Sequence, residues 1–215
     1  MSGKPGMWPF GDLQPGACGI ILADPPTEFR THSAAGQGKS ASRHYAVESI
    51  DDICRMFQVG ELADPAGCIL ILWSTWALVA EGSHVKMLDA WGFRPSSGGS
   101  WAKVTTNALP CFGTGYVLRD ACEPFITGIK GRVPAGWRKT ERNLILAERR
   151  EHSRKPDAMH QMIERAMPNA RRCELFARAQ RPGWEVWGDE VGRFAAPVPA
   201  LVSGWGMRLA QGGVG

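Results

Sequence analysis

Short apolar runs punctuate this chain, and their length and period separate strands from helices. GIILAD (19–24) and GCILILWST (67–75) are continuous apolar runs, as expected of strands buried on both faces. SWAKVT (100–105), CEPFITGIKG (122–131), NLILAER (143–149), CELFAR (173–178) and GWEVWG (183–188) read as five more, with Pro124 marking a strand start or a bulge. Between them the period lengthens. SIDDICRMFQVG (49–60) opens with Ser49 and has Asp52 three residues on, a capping-box-like helix start. WALVAEGSHVKMLDAWGF (76–93) predicts a helix ending at Gly92. SRKPDAMHQMIERAM (153–167) predicts the strongest helix. Pro156 belongs in its first turn, Asp157 suits its positive end, and Met159, Met162, Ile163 and Ala166 form its apolar stripe. Strands alternating with helices predict an α/β sandwich with a largely parallel sheet of about seven strands. In such sheets ligands collect at the carboxyl ends of the strands.

Residues 25–48 break the pattern with a long polar segment that carries Arg30, His32, Lys39, Arg43, His44 and Tyr45. A loop of that length is usually functional, and its cations read as phosphate contacts; a solvated loop is the plain alternative. After Phe194 no period is visible. The expectation is one folded domain over 1–194 and a loose tail over 195–215. The chain has 215 residues, 44% hydrophobic and 21% charged, which suits one soluble domain with a sizeable core. No apolar run approaches a membrane span, and the first residues lack the basic-then-apolar order of a signal peptide, so a cytoplasmic protein is expected. Six scattered cysteines with no C-x-x-C predict reduced, mostly buried thiols and no metal site. The net charge of +4 admits a nucleic-acid partner without demanding one.

The first apolar run ends in Asp24-Pro25-Pro26. The prolines fix φ near −65° and have no N–H, so their carbonyls are expected to face outward as acceptors, beside the Asp24 carboxylate. Together these groups can take both hydrogens of an exocyclic base amine and expose its lone pair, which is catalysis by positioned acceptors. The same residues also make an ordinary tight turn with Asp24 capping a backbone N–H. Lys155 stands at a helix start, where a cation opposes the macrodipole. Glu174 and Arg178, four apart on a predicted strand, read as a structural ion pair. Trp184 and Trp187 read as core, and Trp73 as the wall of a pocket at a strand end.

Eight segments occur together and in order: ADPPTEF (23–29), ILWSTW (71–76), WGF (91–93), WAKVTTN (101–107), GTGY (113–116), REHSRKPDAMHQMIE (150–164), ELFAR (174–178) and RPGWEVWGDE (181–190). The set resembles the MT-A seventy-kilodalton-subunit family of N6-adenine methyltransferases, particularly its bacterial and phage members, over residues 19–192. The resemblance implies a Rossmann-like S-adenosylmethionine-dependent methyltransferase fold with permuted motif order, the catalytic segment preceding the cofactor segment. It accounts for the lack of a G-x-G-x-x-G fingerprint after a strand. It implies that Asp24, Pro25 and Pro26 bind the amine. It implies cofactor contacts from Asp24, Lys155, Glu174, Arg178, Gln180, Arg181, Asp189 and Glu190, with Lys155 at the cofactor carboxylate and Asp189 and Glu190 at the ribose. Thr27, Phe29, Arg30, Lys39, Arg43, Tyr45 and Trp73 are the implied substrate contacts.

Thr27 departs from the family, which usually places an aromatic residue there to stack on a flipped base. Such stacking is worth about 1–3 kcal/mol per base, and Phe29, Tyr45 or Trp73 can supply a replacement ring. The reading is methyl transfer from S-adenosyl-L-methionine to adenine N6 in nucleic acid, with DNA placed first. The alternatives are RNA N6-adenosine methylation and a non-catalytic nucleic-acid-binding partner of the same fold. A homodimer or a partner chain is compatible with either.

Overall fold

A computed structural model of the protein describes residues 8–27, 49–56, 58–113, 117–151 and 153–195. Seven strands form one sheet: β1 (Ile20–Ala23), β2 (Cys68–Trp73), β3 (Arg94–Val104), β4 (Cys122–Lys130), β5 (Leu144–Glu148), β6 (Arg172–Leu175) and β7 (Glu185–Trp187). Their order is β5-β3-β4-β2-β1-β6-β7. Only β4 runs against the rest, pairing antiparallel with β2 and β3, while all other neighbours are parallel. This is an α/β sandwich around a largely parallel seven-stranded sheet, as the alternation of strands and helices predicts, and the Rossmann-like architecture that the resemblance implies.

The helices are α1 (Ile50–Met56), α2 (Trp76–Glu81), α3 (Ser83–Ala90) and α4 (Asp157–Ala166). Ser49 and Asp52 cap α1 as expected, the Asp52 amide donating to Ser49 Oγ at 3.1 Å. The helix expected over 76–93 is broken at Gly82, whose φ of 78° ends α2 in the left-handed region. Pro156 is the N-cap of α4, with extended φ and ψ, rather than a first-turn residue. β3 starts six residues earlier than expected, because RPSSGG is a mostly exposed polar segment with no apolar signal.

Two clusters pack on opposite faces of the sheet. Ile21 and Ala23 of β1 and Cys68, Leu70 and Leu72 of β2 join Ile53, Met87 and Leu88 from α1 and α3. Ile20 and Leu22, with Ile69, Ile71 and Trp73, join Met159 and Ile163 of α4. Two covered faces explain why β1 and β2 are apolar throughout. Parity then places polar residues. Asp24 follows Leu22, Glu174 alternates with Cys173 and Leu175, and Lys103 and Glu123 share the parity of Trp101 and Phe125. All four fall on the α4 face.

The cysteine expectation needs correction. Cys18 and Cys173 are joined in a disulfide, with Cα atoms 6.1 Å apart. Both are buried in one cluster beside adjacent strands, a proximity that a separation of 155 residues conceals. The other four cysteines are free. Among the described residues no helix is long and apolar enough to cross a membrane. The tail beyond residue 195 lies outside the described residues, as does most of the polar loop.

Candidate active site

Asp24 stands one residue past β1, and its amide still donates to the Leu175 carbonyl of β6 at 3.4 Å. The side chain therefore leaves the sheet at the last ladder bond, with a fixed origin. Pro25 and Pro26 end the strand, and the Thr27 amide donates to the Pro25 carbonyl at 2.8 Å. This alters the sequence expectation of two unsatisfied proline carbonyls. One lone pair of Pro25 is already used in closing the turn, while among the described residues no backbone N–H donates to the Pro26 carbonyl.

Asp24 through Thr27 open onto a cavity of about 600 Å³ at the carboxyl end of the sheet, walled also by Trp73, Trp101, Lys103, Glu123, Arg149, Lys155 and Arg178. Charges alternate along its floor. Lys155 Nζ lies 2.9 Å from Asp24 Oδ1 and 2.8 Å from Glu123 Oε1. Lys103 Nζ lies 2.9 Å from Glu123 Oε2. Arg178 reaches Asp24 Oδ2 at 3.7 Å and Glu190 at 3.3 Å, and donates to the Ser153 carbonyl at 2.8 Å. Burial pushes the Glu123 carboxyl up, but Lys155 and Lys103 outweigh it and hold the group at about 2. Burial likewise opposes the Lys155 charge, and Asp24 and Glu123 overcome it, raising Lys155 above the ordinary lysine value. Glu123 and Lys155 thus hold each other in their charged forms.

A second, smaller cavity of about 60 Å³ shares Asp24, Lys155 and Arg178 with the first and adds Asp157, His160, Glu174 and Arg181. Glu174 does not pair with Arg178, as its strand spacing suggested. β6 stops at Leu175, so Arg178 lies beyond the strand, and Glu174 Oε2 bonds His160 Nε2 at 2.8 Å. Arg181 is committed to Asp157, which also bonds Arg150. Glu190 meets the site through Arg178. Gln180 and Asp189 line neither cavity; both are exposed in the turns after β6 and β7.

Of the implied substrate contacts, Thr27 and Trp73 line the larger cavity. Trp73 is only 3% exposed, and Lys155 Nζ sits 5.6 Å from its ring centre, so it backs the site rather than offering an open stacking face. Phe29, Arg30, Lys39, Arg43 and Tyr45 lie outside the described residues. Sequence reasoning missed Glu123 and Lys103. The available signal was a charge inside each of two otherwise weakly polar strand runs, CEPF and WAKV, at positions that become cross-strand neighbours.

The donor set suits a zwitterionic amino-acid tail joined to a ribonucleoside. Two cations at 15% and 12% side-chain exposure, Lys155 and Arg178, can receive a carboxylate. Asp24, Glu174 and Glu190 are nearby acceptors for an ammonium or hydroxyls.

The MT-A70 family model matches residues 18–190. An Arabidopsis thaliana protein named N(6)-adenosine-methyltransferase MT-A70-like is 34% identical over 182 residues, 82% of this chain and 24% of that protein. The Homo sapiens N(6)-adenosine-methyltransferase catalytic subunit METTL3 is 28% identical over 204 residues, 92% of this chain and 32% of that protein. A Pyricularia oryzae protein named N6-methyladenosine RNA methyltransferase MTA1 is 34% identical over 112 residues, 50% of this chain and 29% of that protein. The chain thus spans about a quarter to a third of the length of these relatives. They are plant, animal and fungal proteins, so the likeness is not particular to bacterial and phage members as the sequence reading had it.

Proposed function

Because the chain belongs to the MT-A70 family, we propose that it transfers a methyl group from S-adenosyl-L-methionine to N6 of adenosine in RNA. The observation that carries this reading is the Asp24-Pro25-Pro26 turn. It is pinned to the end of the sheet, faces the larger cavity, and has its carboxylate held by Lys155. The sequence reading placed DNA first. The names of the relatives favour the RNA alternative, since they specify adenosine and in one case RNA.

In this reading the cofactor supplies an electrophilic methyl on its sulfonium. The protein's residues do the rest. Asp24 and the Pro26 carbonyl accept the hydrogens of the adenine amine, which turns its lone pair outward and fixes the angle of approach. Lys155 and Arg178 exchange part of their internal pairing for the cofactor carboxylate, and Glu174, braced by His160, accepts from its hydroxyls or ammonium. The walls formed by Trp73 and Trp101 keep water from the reacting centre. Leu109, Phe112, Val117 and Leu118 are exposed between β3 and β4 and would seat a second chain, identical or not. Sedimentation of the purified protein tests that part.

The activity is tested with methyl-labelled S-adenosyl-L-methionine and RNA or DNA oligonucleotides, followed by nucleoside mass spectrometry. N6-methyladenosine should form in RNA, and Asp24→Ala should lower the rate about 10²–10³-fold, as for loss of a positioned acceptor. Methylation that survives Asp24→Ala unchanged, or appears only in DNA, would overturn the reading.

A further inference from the structure

The cations around the larger cavity are mostly neutralised within the protein: Lys103, Arg150, Arg154, Lys155 and Arg178 all have carboxylate partners. The connection from β4 to β5 is built differently. Residues 131–142, GRVPAGWRKTER, carry Arg132, Arg138, Lys139 and Arg142. Among the described residues none of these four makes an ion pair. The loop's one carboxylate, Glu141, is taken by Arg165, whose Nε and Nη2 donate to it at 3.1 and 2.7 Å.

Behind these cations lies a separate cavity of about 380 Å³ on the α4 face of the sheet. Ile69, Ile71, Phe125 and Met162 give it an apolar floor, and the half-buried Trp137 stands in its wall. Val133, 46% exposed, lies at its rim. That volume falls in the range of ligand clefts. An aromatic wall, an apolar floor and a rim of unpaired cations are the parts from which single-stranded nucleic-acid sites are made: bases stack, and phosphates meet cations. A peptide rich in carboxylates would use the cations and leave the aromatic cavity empty.

The two cavities are linked by β5. Arg142 and Asn143, just before it, line this cavity, and Arg149 and Arg150, just after it, line the larger one. Five strand residues span roughly 17 Å. β5 is an edge strand whose Ile145 and Ala147 pack on the face of both cavities, with Leu144 and Leu146 exposed on the opposite face; its outer edge, at the end of the sheet order, runs from one cavity toward the other.

We propose that residues 131–143 and the cavity behind them form a second binding site for single-stranded RNA, with a base against Trp137 and phosphates on Arg138, Lys139 and Arg142. The site holds the strand several nucleotides away from the adenosine at Asp24. The inference rests on RNA being the substrate, and it adds a footprint that the active site alone does not have.

The test uses the whole chain and an unstructured RNA of about 20 nucleotides, with a core of about six nucleotides as control, sizes that bracket one and two contact regions. The variant is Arg138→Glu/Lys139→Glu/Arg142→Glu, at exposed unpaired positions; circular dichroism verifies that it folds. The long RNA should bind at least about tenfold more weakly. Its dependence of log K on log salt should flatten by about 2, which is three contacts at ~0.7 each. The short RNA should bind the variant and the parent alike. Long RNA carrying 4-thiouridine should crosslink to the peptide containing residues 131–143. Unchanged affinity for the long RNA, no crosslink in that peptide, or a parent chain that binds no RNA would overturn the proposal. A variant that keeps RNA but loses polyglutamate would replace it with an acidic protein partner. If the crosslink forms but no methyl transfer occurs, the second site stands and the proposed activity falls. If methylation and long-RNA binding both ignore the triple change, the activity stands and the second site falls.

Discussion

Two groups of cations lie on the same face of this sheet, joined by the five residues of β5. At the carboxyl end, Lys155 is 15% exposed and touches two carboxylates, and the order Lys103, Glu123, Lys155, Asp24, Arg178, Glu190 alternates in sign without a break. On the loop before β5, Arg138, Lys139 and Arg142 are exposed and have no internal partner among the described residues. The first group serves geometry. A buried carboxylate that must stay charged and stationary needs fixed cations around it, because burial alone would neutralise it. The second group is free to neutralise charges that come from outside, at the cost of mutual repulsion that solvent screens.

The contrast is broken most strongly at Lys155. Lys155→Met keeps the bulk of the side chain and deletes the charge that Asp24 and Glu123 share. It leaves buried carboxylates without their common partner, a change that costs about 3–5 kcal/mol in comparable sites. Urea unfolding should show a loss of that order, and calorimetry should show S-adenosyl-L-methionine binding lost with it. A stability within about 1 kcal/mol of the parent would mean that the alternating network contributes little to holding Asp24.

Glu123→Gln is a milder break. Lys155 keeps Asp24, and the amide keeps the shape, so the loss should be about 1.5–3 kcal/mol, as for a hydrogen bond to a charged group. The pH dependence carries its own sign. The folded-state value of about 2 lies below the ordinary glutamate value near 4.3, so the contribution is complete above that ordinary value and is lost as pH falls through about 2. The gap between parent and variant should be constant from neutral pH down to about 5, shrink below that, and close near 2. Denaturant unfolding across that range measures it; a gap that does not shrink would mean that Lys155 and Lys103 do not hold Glu123 in its charged form.

How much of this was visible beforehand follows from which residues carry local signals. β1, β2 and α4 declare themselves, because continuous burial and a 3.6-residue stripe are properties of adjacent residues. The Asp24 turn and Lys155 declare themselves through the motifs around them. The Glu123–Lys155 and His160–Glu174 pairs do not, since the first joins a strand to the segment before α4 and the second a helix to a strand, and only the assembled sheet brings the members together on one face. β3 was read too short for a related reason. Its first half, RPSSGG, is polar and half of it is glycine or proline, and it is a strand only because β4 lies beside it. Pairing of Cys18 with Cys173 is likewise a consequence of β1 meeting β6.

Thr27 sharpens the comparison from the substrate's side. It lines the larger cavity, where the resemblance leads one to expect an aromatic ring, and its amide rather than its side chain closes the turn. Thr27→Trp leaves that amide in place and adds a stacking surface worth about 1–3 kcal/mol per base. Methylation at subsaturating RNA should be retained or raised, up to roughly tenfold. A folded Thr27→Trp protein with no activity would show that the cavity is shaped around the small residue.

The smallest effect belongs to the exposed loop, and its smallness is informative. If Arg138, Lys139 and Arg142 have no structural partner, then replacing each by alanine should change unfolding free energy by no more than about 0.5 kcal/mol, the usual range for surface positions without special contacts. Removing repulsion among them should make the combined triple-alanine chain equal to, or slightly more stable than, the parent, most visibly at low salt where screening is weakest. Thermal unfolding at two ionic strengths distinguishes the possibilities. A loss above 1 kcal/mol would mean that the loop cations are bound internally, by residues outside those described, and that the difference between the two groups is one of partners rather than of purpose. No loss, together with weaker RNA binding, would mean that these charges are kept for something the chain itself does not contain.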